Sequence, residues 1–263
     1  MVERAAQAGL TAIALTDHDT VAGVPEALGA GKRLGVRVVS GCEFSVAAGW
    51  GELHVLGYFL PINSDVVEPF LTRCRDDRYR RADRMVTRLQ GLGVSMDFER
   101  VLETARGGAI GRPHVAQVLV DCGAVSGIQE AFDRYLGRGK PAFVAKNLPS
   151  FRDVADLVHR AGGLVSAAHL KDRGTRRALR LLQAQGLDAV ETRHPSHSTN
   201  VRANLADHAM ALGLLQTGGS DWHGDDGAEP TQATIGSQLV PEEWLALMER
   251  RREEEAVKGQ AQR

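Results

Sequence analysis

Short apolar runs and longer amphipathic stretches follow one another along most of the chain. Runs of strand length are predicted as β-strands, at residues 11–16, 36–41, 52–60, 163–169, 188–192, 214–219 and 233–239. Stretches with helical spacing are predicted as helices, at residues 2–9, 24–35, 152–162, 176–186, 200–213 and 241–255. Such alternation is typical of an α/β fold in which parallel strands are joined by helical crossovers.

The alternation stops in the middle of the chain. The apolar spacing within residues 64–140 predicts four successive helices, at 66–91, 97–105, 113–122 and 126–136. The charged segment 73–84 is typical of a solvated helix face, and the alternative is a basic lip for a polyanionic substrate. We therefore expect a barrel formed by residues 1–63 and 141–255, a helical insertion at 64–140, and a polar tail at 256–263.

Composition narrows the class of protein. The 263 residues are 43% apolar, with 32 basic and 33 acidic side chains, which excludes a disordered chain and a nucleic-acid binder held by bulk charge. No apolar run approaches the roughly 18 residues of a membrane span, and the first ten residues do not resemble a signal peptide. The three widely spaced cysteines form neither a disulfide framework nor a zinc knuckle, so we expect a cytoplasmic protein.

Histidine and acidic residues concentrate at the ends of predicted strands. Five strands carry such residues at or just after their carboxyl ends: Asp17 and His18, then Glu43, then His169, then Glu191 with His194 and His197, and finally Asp221 and His223. In a (β/α) barrel these ends share one face, where active sites lie. In an open sheet they line the ligand crevice. The pattern therefore predicts one shared site.

The residue types at this site indicate a metal centre. Imidazoles and carboxylates without cysteine suit zinc, manganese or iron, and a carboxylate can bridge two cations that activate water. Glu43 stands among small and apolar residues, where a carboxylate is costly unless it is paired. Asp17 is expected to orient His18, with metal binding as the alternative. His54 lies in an apolar strand and could be a ligand or a core histidine.

A second candidate site lies in the insertion. Arg112 and His114, in the segment Gly-Arg-Pro-His, begin a predicted helix after a glycine-rich turn. A helix amino terminus beside an arginine can bind phosphate, and the alternative is an ordinary loop leading into the helix. The glycines at 107–111 do not follow a strand, so a dinucleotide-binding motif is excluded.

Seven segments resemble one known family. ALTDHDTVAG, SGCEFS, ELHVLGY, IGRPHVAQ, SAAHL, HPSHS and GSDWHG occur in order and resemble the polymerase and histidinol phosphatase (PHP) family of metal-dependent phosphoesterases. The Gly-Arg-Pro-His segment and the helical insertion resemble the branch that hydrolyses 3′,5′-nucleotide bisphosphates, some members of which also trim short RNA from its 5′ end. The resemblance extends from about residue 2 to about residue 245.

This resemblance implies a distorted (β/α)7 barrel with two or three divalent metal ions, manganese above all, with zinc, iron or magnesium as alternatives. The implied metal ligands are His18, Glu43, His54, His169, Asp221 and His223, with Glu43 as the bridging carboxylate. The implied contacts to the substrate phosphate are Arg112, His114 and His197. His223 or His197 would assist proton transfer.

One part of the family pattern is absent from the sequence. The first strand of the family carries a His-x-His motif followed by another ligand, and the chain has no such segment. We therefore expect a barrel that lacks its first strand, with weak or no phosphatase activity in the chain as written. If the upstream reading frame encodes the motif, the start was misassigned; a stop codon there favours a non-catalytic remnant.

The sequence thus predicts a phosphoesterase that uses metal-activated water. The expected substrate is a 3′,5′-nucleotide bisphosphate or the 5′ end of a short RNA, with no membrane and no stable protein partner. The alternatives are a truncated non-catalytic remnant of the fold and a small-molecule phosphatase of the histidinol phosphatase type. A substrate panel distinguishes the last alternative from the main prediction.

Overall fold

The computed structural model describes residues 1–224 and 234–261, and this part of the chain contains one six-stranded sheet. Its strands lie side by side in chain order as half of a barrel. They are β1 (Ala12–Leu15), β2 (Arg37–Ala48), β3 (Gly51–Tyr58), β4 (Leu164–Ala167), β5 (Ala189–Arg193) and β6 (Leu215–Gly218). The predicted α/β class is confirmed.

Helices connect the strands and fill the central segment. Those beside the sheet are α1 (Val2–Gln7), α2 (Val24–Leu34), α7 (Phe151–Arg160), α8 (Arg176–Gln183), α9 (Thr199–Leu212) and α10 (Glu242–Ala261). Those of the central segment are α3 (Glu68–Gly91), α4 (Phe98–Ala105), α5 (Arg112–Asp121) and α6 (Ile128–Ala131), the last continuing as a π-helical turn at Phe132–Leu136. No described helix has both the length and the apolar character that a membrane span requires.

The sheet is mixed, which corrects the expectation of parallel strands. Strands β1 and β2 are parallel, as are β4, β5 and β6, but β3 runs antiparallel to both β2 and β4. Only Gly49 and Trp50 separate β2 from β3, and so short a connection permits a hairpin but no crossover. The beginning of β3 therefore lies beside the carboxyl ends of β2 and β4.

One prediction near the carboxyl terminus is wrong. Residues 234–239 of the predicted strand 233–239 form turns, with Ser237 N donating to Thr234 O and Leu239 N to Gly236 O; residue 233 lies outside the described part. Gly236 has a φ of +87°, which is incompatible with a regular strand. Helix α10 continues through Ala261, so the predicted polar tail is helical as far as it is described.

The chain divides into two compact units. The first comprises Met1–Glu68 and Leu148–Arg263, and the second comprises Pro69–Asn147. The second unit contains most of the predicted insertion 64–140. It has its own apolar core, in which Leu89, Leu119 and Leu136 are fully buried.

Helix α7 illustrates how local sequence builds the first unit. Ser150 is its N-cap, and its hydroxyl accepts a hydrogen bond from Asp153 N, which satisfies a donor that the helix leaves open. The buried residues of the helix include Phe151, Val154 and Val158, whose spacing places them on one face. That face packs against β2 and β4. The amphipathic pattern thus fixes how the helix covers the sheet.

Candidate metal centre

The Glu43 carboxylate lies at the centre of a group of imidazoles. Oε1 lies 2.8 Å from Nδ1 of His54 and 3.2 Å from Nε2 of His169, and Oε2 lies 3.6 Å from Nδ1 of His18. Only 6% of Glu43 is exposed. One ligand atom from each of His18, Glu43 and His54 lies within 4.8 Å of the others, a spacing that could accommodate a metal ion.

Three chain segments bring these residues together through backbone pairing. The β1–β2 ladder extends beyond β1, with Glu43 N donating to Asp17 O and Asp19 N donating to Glu43 O, which holds His18 beside Glu43. In the β2–β3 hairpin His54 pairs with Ser45, so His54 lies diagonal to Glu43 on the same face. His169 directly follows Ala168, whose N–H donates to His54 O.

Six imidazoles form a continuous row around this carboxylate. Adjacent ring centroids are 5.1–6.3 Å apart in the order His223, His18, His54, His169, His194 and His197. The row contains every histidine that the sequence placed at strand ends. The sheet therefore converts a dispersed set of residues into one imidazole-rich site.

Asp221 and Asp17 complete the acidic part of the site. Asp221 Oδ2 lies 3.5 Å from Nε2 of His194, and Oδ1 lies 3.6 Å from Nδ1 of His223. The Asp17 carboxylate packs over Gly23, where a Cβ would lie 3.2 Å from Oδ2. Burial raises the pKa of Asp17, and the charge of His223 opposes that effect.

The electrostatics of the site favour the ionised form of two carboxylates, Glu43 and Asp221, which is the form that binds a cation. Burial raises the pKa of Glu43, but hydrogen bonds from His169 and His54 and the charge of His18 outweigh it and hold the pKa well below its usual range. The imidazole of His194, whose Nε2 lies 3.5 Å from Oδ2, lowers the pKa of Asp221 despite burial. Two carboxylates that stay ionised beside imidazole nitrogens are a suitable ligand set for divalent transition metals. The residues present therefore fit a metal centre.

His197 is occupied by the backbone. Its Nε2 accepts a hydrogen bond from Lys171 N at 3.2 Å, and its Nδ1 lies 3.3 Å from Thr192 O. Burial lowers its pKa to about 4, so the ring is neutral at physiological pH. Both ring nitrogens thus have main-chain partners, an arrangement that the sequence did not indicate.

Arg112 and His114 belong to the second unit, at the beginning of α5. Nδ1 of His114 accepts a hydrogen bond from Gly111 N at 3.0 Å and so caps the helix. Burial, together with the charge of Arg78, lowers the pKa of His114. The Arg112 guanidinium lies over the rings of Phe132 and Phe143, 5.5 and 5.9 Å from their centroids.

Glu191, at the end of a predicted strand, is a buried residue to which the sequence pattern assigned no role. Its Oε2 accepts a 2.7 Å hydrogen bond from His169 N, and only 4% of the residue is exposed. Burial raises its pKa to about 8, so the carboxyl group is largely protonated at neutral pH. The sequence signal was that this acidic residue directly follows the apolar residues Ala189 and Val190 of a predicted strand. A carboxyl group in such a position is expected to be buried.

The mixed α/β sheet and the carboxylate ringed by imidazoles define a metal-dependent hydrolase. The model of the PHP domain family matches residues 1–208, and the chain belongs to this family. It is therefore a metal-dependent phosphoesterase, as its sequence predicted.

Similar proteins come from several bacteria. The chain is 33% identical over 229 residues to the 3′,5′-nucleoside bisphosphate phosphatase of Chromobacterium violaceum, covering 85% of this chain and 80% of that protein. It is 30% identical over 230 residues to the 5′-3′ exoribonuclease Rnm of Escherichia coli, covering 85% and 78%. The crystal structure of a candidate metal-dependent phosphoesterase from Bifidobacterium adolescentis superposes with a TM-score of 0.84 at 30% identity, covering 94% and 88%.

Proposed function

We propose that this protein removes a phosphate from a 3′,5′-nucleotide bisphosphate, or from the 5′ end of a short RNA, in the cytoplasm. The observation that carries the proposal is the buried Glu43 carboxylate with three imidazoles around it. The names of the relatives from Chromobacterium violaceum and Escherichia coli support the substrate class.

We also propose the cation ligands that the family resemblance implies. The proposed set is His18, Glu43, His54, His169, Asp221 and His223, and manganese is the proposed metal. Bound divalent cations would activate water and neutralise charge on the phosphate oxygens. Glu43 lies between His54 and His169 on one side and His18 on the other, which supports a bridging position.

The remaining candidate residues are proposed to bind the substrate or to support the loops of the site. We propose that Arg112 contacts a substrate phosphate through its guanidinium, whose planar donors suit phosphate oxygens. His114 accepts from Gly111 N at Nδ1, so its Nε2 carries the proton and could donate to the same phosphate. His197 has both nitrogens engaged by the main chain, so we propose that it holds the loop after β5 instead of contacting substrate. Asp17 packs beside Gly23, and we propose that it supports the loop that carries His18.

The metal centre is tested by Glu43→Gln. The substitution keeps the shape of the side chain but removes the charge that the imidazoles stabilise, so Mn²⁺ affinity should fall at least tenfold by titration calorimetry. Glu130→Gln, which alters a partly exposed carboxylate paired with Arg134 in the second unit, is the matched control and should bind as the unmodified protein does. Equal affinity of the Glu43→Gln variant would remove Glu43 from the ligand set.

The substrate class is tested by a panel at fixed Mn²⁺. A nucleoside 3′,5′-bisphosphate, a 5′-phosphorylated trinucleotide and histidinol phosphate are compared by release of inorganic phosphate. We expect the highest kcat/KM with the bisphosphate and slower release from the trinucleotide. Preference for histidinol phosphate would support the small-molecule alternative, and turnover of none of the three would support a non-catalytic protein.

A further inference from the structure

We propose that His194 is a positioning residue, which donates its Nε2–H to the Asp221 carboxylate and is not itself a metal ligand. This inference rests on the proposed function, because Asp221 matters here as a cation ligand.

The main chain determines which nitrogen of His194 is protonated. Nδ1 accepts a 3.1 Å hydrogen bond from Ser196 N and also lies 2.8 Å from the Ser196 hydroxyl oxygen. A backbone N–H can only donate, so Nδ1 carries the lone pair and the neutral ring has its proton on Nε2. A metal needs a lone pair, so Nε2 of this tautomer cannot coordinate one.

The protonated nitrogen faces Asp221. The His194 side chain is 7% exposed, and Nε2 has no hydrogen-bond partner among the described residues. Asp221 Oδ2 lies 3.5 Å away, and an ionised carboxylate can only accept. A buried donor without a partner is costly, so formation of a hydrogen bond from Nε2 of His194 to Oδ2 of Asp221 is favourable. The pair therefore restrains Oδ2 of Asp221.

The ring cannot easily turn away from this position. The Arg202 guanidinium donates from one nitrogen to His194 O at 2.9 Å and from Nε to His197 O at 3.1 Å. These bonds fix the backbone on which the imidazole is mounted. Asp221 itself has a φ of +52°, an uncommon conformation for a residue other than glycine. The bonds from Arg202 thus hold the backbone around His194 in place.

His223, on the other side of the same aspartate, has the opposite tautomer. Its Nδ1 lies 2.8 Å from Asp221 O, and because a carbonyl oxygen only accepts, Nδ1 carries the proton. Its Nε2 is then a lone pair that can coordinate a cation. Asp221 therefore lies between a donor imidazole, His194, and a ligand imidazole, His223, and the residue types alone do not distinguish them.

The tautomer is measured without any metal. Long-range ¹H–¹⁵N spectra of the full chain, labelled at histidine and assigned by the loss of one spin system in His194→Phe, report which nitrogen is protonated. We expect a neutral ring protonated at Nε2 for His194. A ring protonated at Nδ1 would overturn the proposal, whatever the metal affinity is.

The positioning role is measured by Mn²⁺ titration of full-length variants. His194→Phe removes the donor and should weaken binding about 10- to 100-fold, as loss of a partner that orients a ligand commonly does. His194→Gln retains an N–H donor and should recover at least part of this loss, which a purely structural role does not explain. His208→Phe is the matched control, because His208, on α9, contacts Gly174 O instead, and it should leave the affinity unchanged.

A double substitution tests whether His194 acts through Asp221. If His194 acts through Asp221, adding His194→Phe to Asp221→Asn should change Mn²⁺ affinity by less than about twofold. If the unmodified protein binds Mn²⁺ only as tightly as the His194→Phe variant does, the positioning role is overturned and the proposed function is left intact. Unmodified protein that binds no Mn²⁺ overturns the proposed metal centre and this role with it.

Discussion

The backbone N–H of His169 donates to the buried carboxyl group of Glu191 at 2.7 Å. This bond forms just where the chain leaves β4, and His169 has a φ of +33° there. Such a conformation persists only where the surroundings stabilise it. Glu191 therefore orients the residue that presents an imidazole to Glu43.

Replacement of Glu191 should lower stability in a way that depends on the new side chain. Glu191→Ala leaves a buried N–H without an acceptor, and we expect a loss of about 1–3 kcal/mol in the free energy of unfolding. Glu191→Gln keeps an acceptor and resembles the protonated carboxyl group, so it should cost less than the alanine variant. Urea denaturation of the metal-free protein checks both, and equal losses would contradict the role given to this hydrogen bond.

The pair of His159 and Asp188 should make stability depend on pH. Nε2 of His159 lies 2.8 Å from Asp188 Oδ2, and this hydrogen bond raises the pKa of His159 above its ordinary 6.5. The folded protein thus holds the proton more tightly than the unfolded chain. The stabilisation is complete below about pH 6.5 and is lost as pH rises through the raised pKa.

This pH dependence is measured as a difference between two proteins. Urea midpoints of the unmodified protein and of His159→Gln are compared from pH 5.5 to 8.5, so that other titrating groups cancel. We expect the gap between them to narrow with increasing pH. A constant gap would show that the proton on His159 does not contribute.

Alanine substitutions at two glycines of α2 should change the stability of the protein in opposite directions. A Cβ on Gly31 would lie 2.4 Å from Val36 O and 2.8 Å from a methyl group of Val38, whereas a Cβ on Gly29 would meet only the far end of Arg33 at 3.8 Å. Gly31→Ala should therefore destabilise by about 1–3 kcal/mol. Gly29→Ala should stabilise by up to about 1 kcal/mol, because alanine is the better helix former. Thermal and urea unfolding check the two signs.

Arg112 should affect substrate binding more than chemistry. Loss of a charged hydrogen bond worth about 1.5–3 kcal/mol raises KM roughly 10- to 100-fold, and we expect this for Arg112→Ala with the bisphosphate substrate. Arg112→Lys should recover only part of the loss, because an ammonium lacks the planar pair of donors. Arg100→Ala, an exposed arginine on α4, is the control and should leave KM unchanged.

Much of the fold was evident in the sequence. The order of helices and strands, the interruption by successive helices and the concentration of His18, Glu43, His169 and Asp221 near strand ends follow from local patterns. Helical and strand periods are properties of neighbouring residues, so no long-range information is needed to recognise them. The family resemblance added His54 to the site, where its apolar strand alone left two readings open.

Other features depended on contacts between distant segments. The antiparallel direction of β3 places His54 beside Glu43, and the turns at 234–239 replace a predicted strand. The proton positions of His194 and His223 cannot be read from residue types. The sequence by itself indicated which residue types were candidates for binding a cation. Only the tertiary structure decided which nitrogen of His194 and of His223 carries the proton, because that choice depends on main-chain donors and acceptors contributed by the folded loops.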